Sequence, residues 1–495
     1  MGNLANRSGT KAFILVASKV ITLLLSVITS MILARTLNLD EYGTYSELLT
    51  VSSVAVSIFS LGLPNALNYF LPRCDNEDEK GEFINRYFLF ITVLSGLLML
   101  AMALANKPIA AYYENERLRT YSYFLILIPW TKLLISSRSN LLVAEGKIIR
   151  EIVYCILNGL LLALIALSTL LDQCHFGFYI MLYVIVEIIF SVMVYAEAFI
   201  LAKKRIRLNL KTMDIKEILA YTIPLGLSTA ISTISLDLDK LIIGFMMDES
   251  AVAIYANAGK ELPFSLISTS FTAVFLPQIV ALVKDQKAKA AVARWKDIME
   301  INYIILSFCV AASIVFAPQI ISLLYSEAYL SGVGLFRIYS LTLLLRITYW
   351  AMFLNAFGRT KEIMLNSLIC LVLNIILNVV FYYTMGFKGP AFATLLSILA
   401  IVILQIVRTA QLLKRSPWSF IPFKGFALPT IVSAVSGALV YGATELFNIG
   451  TDKKGIIVVF AIGAVWGSLY VLIFLKKILM LWRSLNKEIK ENQME

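Results

Sequence analysis

Apolar runs long enough to cross a lipid bilayer follow one another along almost the whole chain, and no other feature constrains its fold as much. A hydrocarbon core about 30 Å thick takes about 20 predominantly apolar residues in a helix. Punctuated by Pro, Gly and charge clusters, such runs lie at 10–35, 43–71, 84–105, 120–142, 151–171, 176–201, 217–247, 250–276, 298–320, 332–357, 362–385, 389–411, 426–448 and 455–480. They are too long for membrane β-strands, which need about 9–11 residues of strict alternation, and helices satisfy their own backbone in lipid. The expected fold class is an all-α polytopic membrane protein with about fourteen transmembrane helices. With 59% hydrophobic residues, 15% charged residues and a mean hydropathy of +0.81, the chain has little sequence left for a soluble domain.

Basic residues alternate between loops. One set holds Lys203, Lys204, Arg205, Arg207, Lys211 and Lys216 in one loop, Lys284, Lys287, Lys289, Arg294 and Lys296 in another, and Lys476, Lys477, Arg483, Lys487 and Lys490 in the tail. The opposite set holds only Arg35, Lys107, Arg117, Arg119, Lys388, Lys453 and Lys454. The positive-inside rule then puts both termini in the cytoplasm. It also accounts for the net charge of +11 without a nucleic-acid partner. The polar stretch from Met1 to Phe13 and the full length of the first run argue against a cleaved signal peptide, and Asn6 stands where a myristoylation signal needs Ser or Thr.

The five cysteines are scattered, and only Cys174 faces the oxidising side, so no internal disulfide is expected. Without a CxxC pair and with His175 as the one histidine, neither a metal site nor a Ser/His/Asp triad has material to be built from. No GxxxxGK[ST] loop is present, which argues against an ATP-hydrolysing pump, and no cofactor is expected.

The chain also repeats itself. ILARTLNLDEYGTYS (Ile32 to Ser46) aligns with IIGFMMDESAVAIYA (Ile242 to Ala256) at an offset of 210. Phe70-Leu71-Pro72 recurs as Phe275-Leu276-Pro277, offset 205, and AEGK (Ala144 to Lys147) as AFGR (Ala356 to Arg359), offset 212. The expected organisation is a six-helix lobe over 1–205, a second six-helix lobe over 206–415, and two added helices with a cytoplasmic tail over 416–495. Six helices per unit, an even number, make the repeats parallel, and transporters of that build carry substrate between their halves.

These segments carry a family resemblance. LARTLNLDEYGTY, AEGKIIRE, DLDKLIIGFM, AIYANAGKELPFSLI and FLP before a basic loop resemble the multidrug/oligosaccharidyl-lipid/polysaccharide exporter superfamily, especially Wzx-type polysaccharide flippases. The likeness covers most of the chain, although Asn38 stands where such proteins commonly carry Gly. The resemblance implies two lobes alternating between inward- and outward-facing states. It further implies an undecaprenyl-pyrophosphate-linked oligosaccharide as substrate, a bacterial cytoplasmic membrane as location, and membrane lipids and polysaccharide polymerase machinery as partners.

Charges inside the spans are the candidate chemistry, because a cation at a helix centre costs about 2.5–3.5 kcal/mol on insertion scales. Lys19, Lys132 and Arg346 lie near mid-span with no carboxylate neighbour in their own helices. Either they bind the pyrophosphate, or a carboxylate on another helix neutralises them. Glu187, mid-span in the sixth run, is either a coupling-ion site or such a neutraliser. Arg138 and Arg337 lie nearer span ends, where long side chains reach head groups. Asp237, Asp239, Lys240 and Lys260 form an expected structural ion-pair cluster, with Asp237 and Lys240 at i,i+3 and Asp239 level with Lys260. Aromatic residues such as Tyr112, Tyr113, Trp130, Tyr349 and Trp350 read as packing or interface residues.

A flippase for a lipid-linked oligosaccharide is the function these features favour. A cation-coupled multidrug exporter is the alternative, for which an acidic cavity would be expected. A membrane polysaccharide polymerase would need larger outside loops than the chain has.

Overall fold

The structure, a computed structural model, describes residues 20–171, 175–202, 215–259 and 264–491. These residues form helices and turns, with no strand among them. By packing, the chain falls into two compact units, Met1–Ala256 and Asn257–Glu495.

The first unit contains α1 (Val20–Thr36), α2 (Leu39–Phe59), α3 (Pro64–Phe70), α4 (Glu77–Tyr112), α5 (Arg117–Thr120), α6 (Ser122–Ala144), α7 (Ile148–Leu167), α8 (Phe176–Leu201) and α9 (Ile215–Met246). It closes in α10 (Glu249–Ala258). Helices α4, α6 and α8 pack on one another, α2 lies against α6 and α9, and α7 against α6 and α8. The second unit contains α11 (Ser265–Lys284), α12 (Ala288–Val315), α13 (Ala317–Leu324), α14 (Val333–Leu345), α15 (Met352–Ala356), α16 (Thr360–Met385), α17 (Gly389–Leu413), α18 (Phe423–Leu446) and α19 (Lys453–Glu491). Its centre is α12, packed by α11, α14, α18 and α19, while α16 and α17 form a hairpin about Gly386–Lys388.

Among the described residues nine helical stretches are long and apolar enough to cross a membrane, or ten if α2 and α3, bent by 41°, make one crossing. One of the nine, Thr360–Leu413, is the α16–α17 hairpin. The other expected runs are occupied by α1, by α6 with its Lys132 and Arg138, and by α10 with α11. The distribution of polarity is that of a protein dissolved in lipid: Leu104, Leu439 and Leu446 are more than 70% exposed, while Glu187, Asn302 and Asn378 are fully buried. The fold is therefore an all-α polytopic membrane protein.

Two of the three repeated segments adopt the same backbone. Asn38 caps α2 by accepting from the N–H of Glu41 (2.9 Å), and Asp248, 210 residues on, accepts from the N–H of Ala251 (2.9 Å) at the start of α10. Asn38 also forms a reciprocal capping box with Glu41, so the departure from Gly there keeps the helix start. In AEGK and AFGR, Gly146 and Gly358 turn left-handed at φ +69° and +70°. The next N–H then returns to a carbonyl five residues back, Lys147 to Leu142 (2.7 Å) and Arg359 to Leu354 (2.8 Å). The FLP pair differs: Leu71–Arg73 is a 3-10 turn, whereas Phe275–Pro277 continues α11. The packing boundary after Ala256 lies inside the second repeat, so α9 packs with the first unit. The division at 205 and 415 follows the sequence duplication, not the packing.

Candidate functional site

In the first unit, Lys132 on α6 meets Glu187 on α8, Nζ to Oε1 3.3 Å. The carboxylate is fully buried, while the lysine side chain as a whole is 38% exposed. Asn158 on α7 reaches the same Oε1 (3.5 Å), and the ring of Tyr183 lies 5.6 Å from Nζ. Of the two sequence readings of Lys132, the structure supplies the neutralising carboxylate. Glu187 is thereby matched to a cation on a neighbouring helix.

The second unit has a broken helix. The tenth apolar run is expected as one helix over 332–357, but α14 stops at Leu345 and α15 begins only at Met352. Arg346 is the cap residue at the break. The freed carbonyls are taken up by side chains: Ser268 Oγ donates to Arg346 O (2.6 Å), Asn302 Nδ2 to Ile347 O (2.8 Å) and Trp350 Nε1 to Leu345 O (2.5 Å). Trp295 Nε1 donates to Thr348 Oγ1 (2.9 Å), and Phe353 and Phe420 pack on its ring. Non-helical backbone inside a membrane domain is tolerated only where protein or a polar cavity satisfies it, and broken helices of this kind recur at transporter binding sites.

The remaining expected cations divide. Lys240 pairs with Asp237, which also accepts from Ser53 Oγ (2.7 Å), so that part of the cluster ties α9 to α2. Asp239 is buried. Lys19 and Lys260 lie outside the described residues. Arg138 does not reach head groups: it is buried against Glu151 (3.3 Å) with its guanidinium 4.3 Å from the Tyr154 ring centre. Arg337 lines an apolar groove of about 420 Å³ among α12, α14 and α18, donating from Nε to Ile314 O (3.1 Å).

At the loop end of α2 the two repeats touch. Ser250 Oγ donates to Asp40 Oδ1 (2.6 Å), joining repeat-equivalent positions, and Gly43 lies so close to the Glu249 backbone that a Cβ would overlap it. One turn further along, Glu47 is 1% exposed and accepts from Asn115 Nδ2 (2.8 Å). Sequence reasoning passes over Glu47. The signal was a carboxylate inside an apolar run with no basic residue three or four places away.

Buried ion pairs, a broken helix and contacts between repeated segments mark an all-helical, polytopic membrane protein. The profile of a family described as "Polysaccharide biosynthesis protein" matches residues 32–334, more than half of the chain, and the chain belongs to that family. No curated protein matches it. Among solved structures, the lipid II flippase MurJ in an inward closed conformation is similar at 16% identity, with 94% of this chain and all of that one covered and a TM-score of 0.76. An inward-facing multidrug resistance MATE transporter is similar at 14% identity over 80% of this chain and 96% of that one, TM-score 0.66. The outward-facing form of a MATE transporter gives 14% identity over 82% and 95%, TM-score 0.51.

Proposed function

We propose that the chain is a flippase that moves an undecaprenyl-pyrophosphate-linked oligosaccharide outward across the bacterial cytoplasmic membrane, with both termini in the cytoplasm, for cell-surface polysaccharide synthesis. The observation that carries the reading is Lys132, a mid-span cation held by a buried carboxylate on a neighbouring helix. A cation held in that way is ready to meet a phosphate without being lost to lipid. Lys19, Lys132 and Arg346 are the cations proposed to meet the pyrophosphate during the cycle, and Arg346 at a broken helix fits that role. Membership of the polysaccharide biosynthesis family supports a saccharide-bearing substrate. Multidrug export is the second reading, supported by likeness to MATE transporters. Cations within the spans favour an anionic substrate over an organic cation.

Lys132→Gln alone strands Glu187 without its counter-ion, so the informative variant is Lys132→Gln with Glu187→Gln. This pair removes both charges together and should keep the protein in the membrane. Transport is expected to fall roughly 10- to 100-fold, the effect of losing a hydrogen bond to a charged group. The assay is accumulation of lipid-linked saccharide on the cytoplasmic leaflet, normalised to protein in the membrane. Normal transport by the double variant would make Lys132 a structural counter-ion and nothing more.

A further inference from the structure

The groove in the second unit is walled by small and apolar side chains: Val310 and Ala311 on α12, Leu341 and Leu344 on α14, and Ala434 and Ala438 on α18. Leu341 and Tyr441, which also line it, are exposed, so the groove opens at the surface of the helices. Most of its polar groups are satisfied inside the protein. The hydroxyls of Tyr303 and Thr430 share a hydrogen bond (2.6 Å), and Ser307 and Ser433 both bond to the hydroxyl of Tyr470 (2.9 and 3.3 Å). Arg337 is the exception. Its Nε donates to Ile314 O (3.1 Å) and its guanidinium carbon lies 5.8 Å from the Tyr441 ring centre, but it makes no ion pair among the described residues. Glu445, one turn beyond Tyr441 on α18, does not pair with it.

The charge and the apolar walls are arranged end to end. Tyr303 and Thr430 mark one end of the groove, and Arg337, beside Ile314 and Tyr441, marks the other. From Tyr303 to Val315, α12 rises about 18 Å at about 1.5 Å per residue. One leaflet contributes roughly 15 Å to a hydrocarbon core about 30 Å thick. The groove therefore matches one acyl chain in length, whereas an undecaprenyl chain is far longer. Arg337 stands one turn after the start of α14, near a span end, where a long cationic side chain reaches the level of phosphates. A guanidinium without a carboxylate is matched there by an anionic phosphodiester.

We propose that this groove is a binding site for an anionic glycerophospholipid, with one acyl chain between α12, α14 and α18 and the phosphate on Arg337. The site lies within one unit and its occupation does not depend on what is transported, so its test is separate from that of the proposed function.

The test uses the full-length protein in phosphatidylcholine vesicles holding a trace of phosphatidylglycerol with a photoactivatable group near the end of one acyl chain. Labelled peptides should come from α12 and α18 near Tyr303 and Thr430. A phosphatidylcholine probe with the same chains should label them roughly 10-fold less, the scale of a hydrogen bond to a charged group, because its choline already balances its phosphate. Arg337→Gln should bring the two probes to the same level, and Arg337→Lys should keep part of the preference. Ala434→Leu, which narrows the groove and leaves Arg337 in place, should lower labelling by both. Excess undecaprenyl pyrophosphate should leave the labelling unchanged. Equal labelling by the two probes in the parent protein, or labelling spread evenly over the lipid-facing helices, would reduce the groove to ordinary boundary lipid and overturn the proposal. Displacement by undecaprenyl pyrophosphate would overturn it too, by giving the groove to the transported lipid.

Discussion

Arg138→Ala is expected to leave little folded protein in the membrane. Arg138 and Glu151 join α6 to α7 as an ion pair whose side chains are 3% and 5% exposed, and Cys155 Sγ adds a contact to the same carboxylate at 3.0 Å. Removing one partner of a buried pair costs about 3–5 kcal/mol because the other charge is left without compensation. That is a large share of the roughly 5–15 kcal/mol that holds a typical domain folded. Glu151→Ala should do the same, whereas Arg138→Met with Glu151→Leu, which removes both charges and keeps the volume, should recover most of the loss. Thermal unfolding in detergent and yield in the membrane are the measurements. Single variants as stable as the parent would show that the pair does not hold α6 to α7.

The second large effect is on movement. Asp40 and Ser250 are repeat-equivalent positions joined by a 2.6 Å hydrogen bond, with Gly43 against the Glu249 backbone beside them. If transport requires this contact to part and re-form, tying it must stop the cycle. With the five native cysteines replaced, Asp40→Cys and Ser250→Cys treated with a short reducible bis-thiosulfonate reagent should cross-link in high yield and bring transport to the level of membranes lacking the protein. Reduction should restore it, and each single variant should be insensitive to the reagent. Full transport by the cross-linked protein would mean that the contact is static scaffolding.

What the sequence made legible follows from what lipid demands of a chain. Apolar runs announce helices because an unpaired backbone group is too costly in hydrocarbon, and among the described residues the helices stand in those runs, with the tenth broken. The repeat was readable through positions with special backbone needs: Gly146 and Gly358 at left-handed caps, and Asn38 and Asp248 at helix starts. Partnership was harder to read. Lys132 and Glu187 were recognisable as buried charges, but their meeting depends on the packing of α6 and α8, which no spacing along one helix encodes. The break at 346–351 was hidden because the run stays apolar through it. The groups that satisfy its carbonyls include Ser268 and Asn302, distant in sequence. Arg138 was expected near head groups because Glu151 lies in the following helix and so drew no notice as its partner.

If the protein carries a lipid-linked saccharide across the membrane, as proposed, the exposure of such a lipid on each leaflet reports it. The purified protein would be reconstituted into vesicles bearing a fluorescent undecaprenyl-pyrophosphate oligosaccharide, with an impermeant quencher added to one side. Vesicles containing the protein should lose more fluorescence than empty ones, as lipid from the inner leaflet reaches the quencher. The cross-linked Asp40→Cys/Ser250→Cys protein and the Lys132→Gln/Glu187→Gln variant should resemble empty vesicles, and organic cations should not be moved. Exposure of the lipid at the empty-vesicle rate, together with uptake of an organic cation dye that the same cross-link blocks, would rule out the flippase and make the protein a drug exporter.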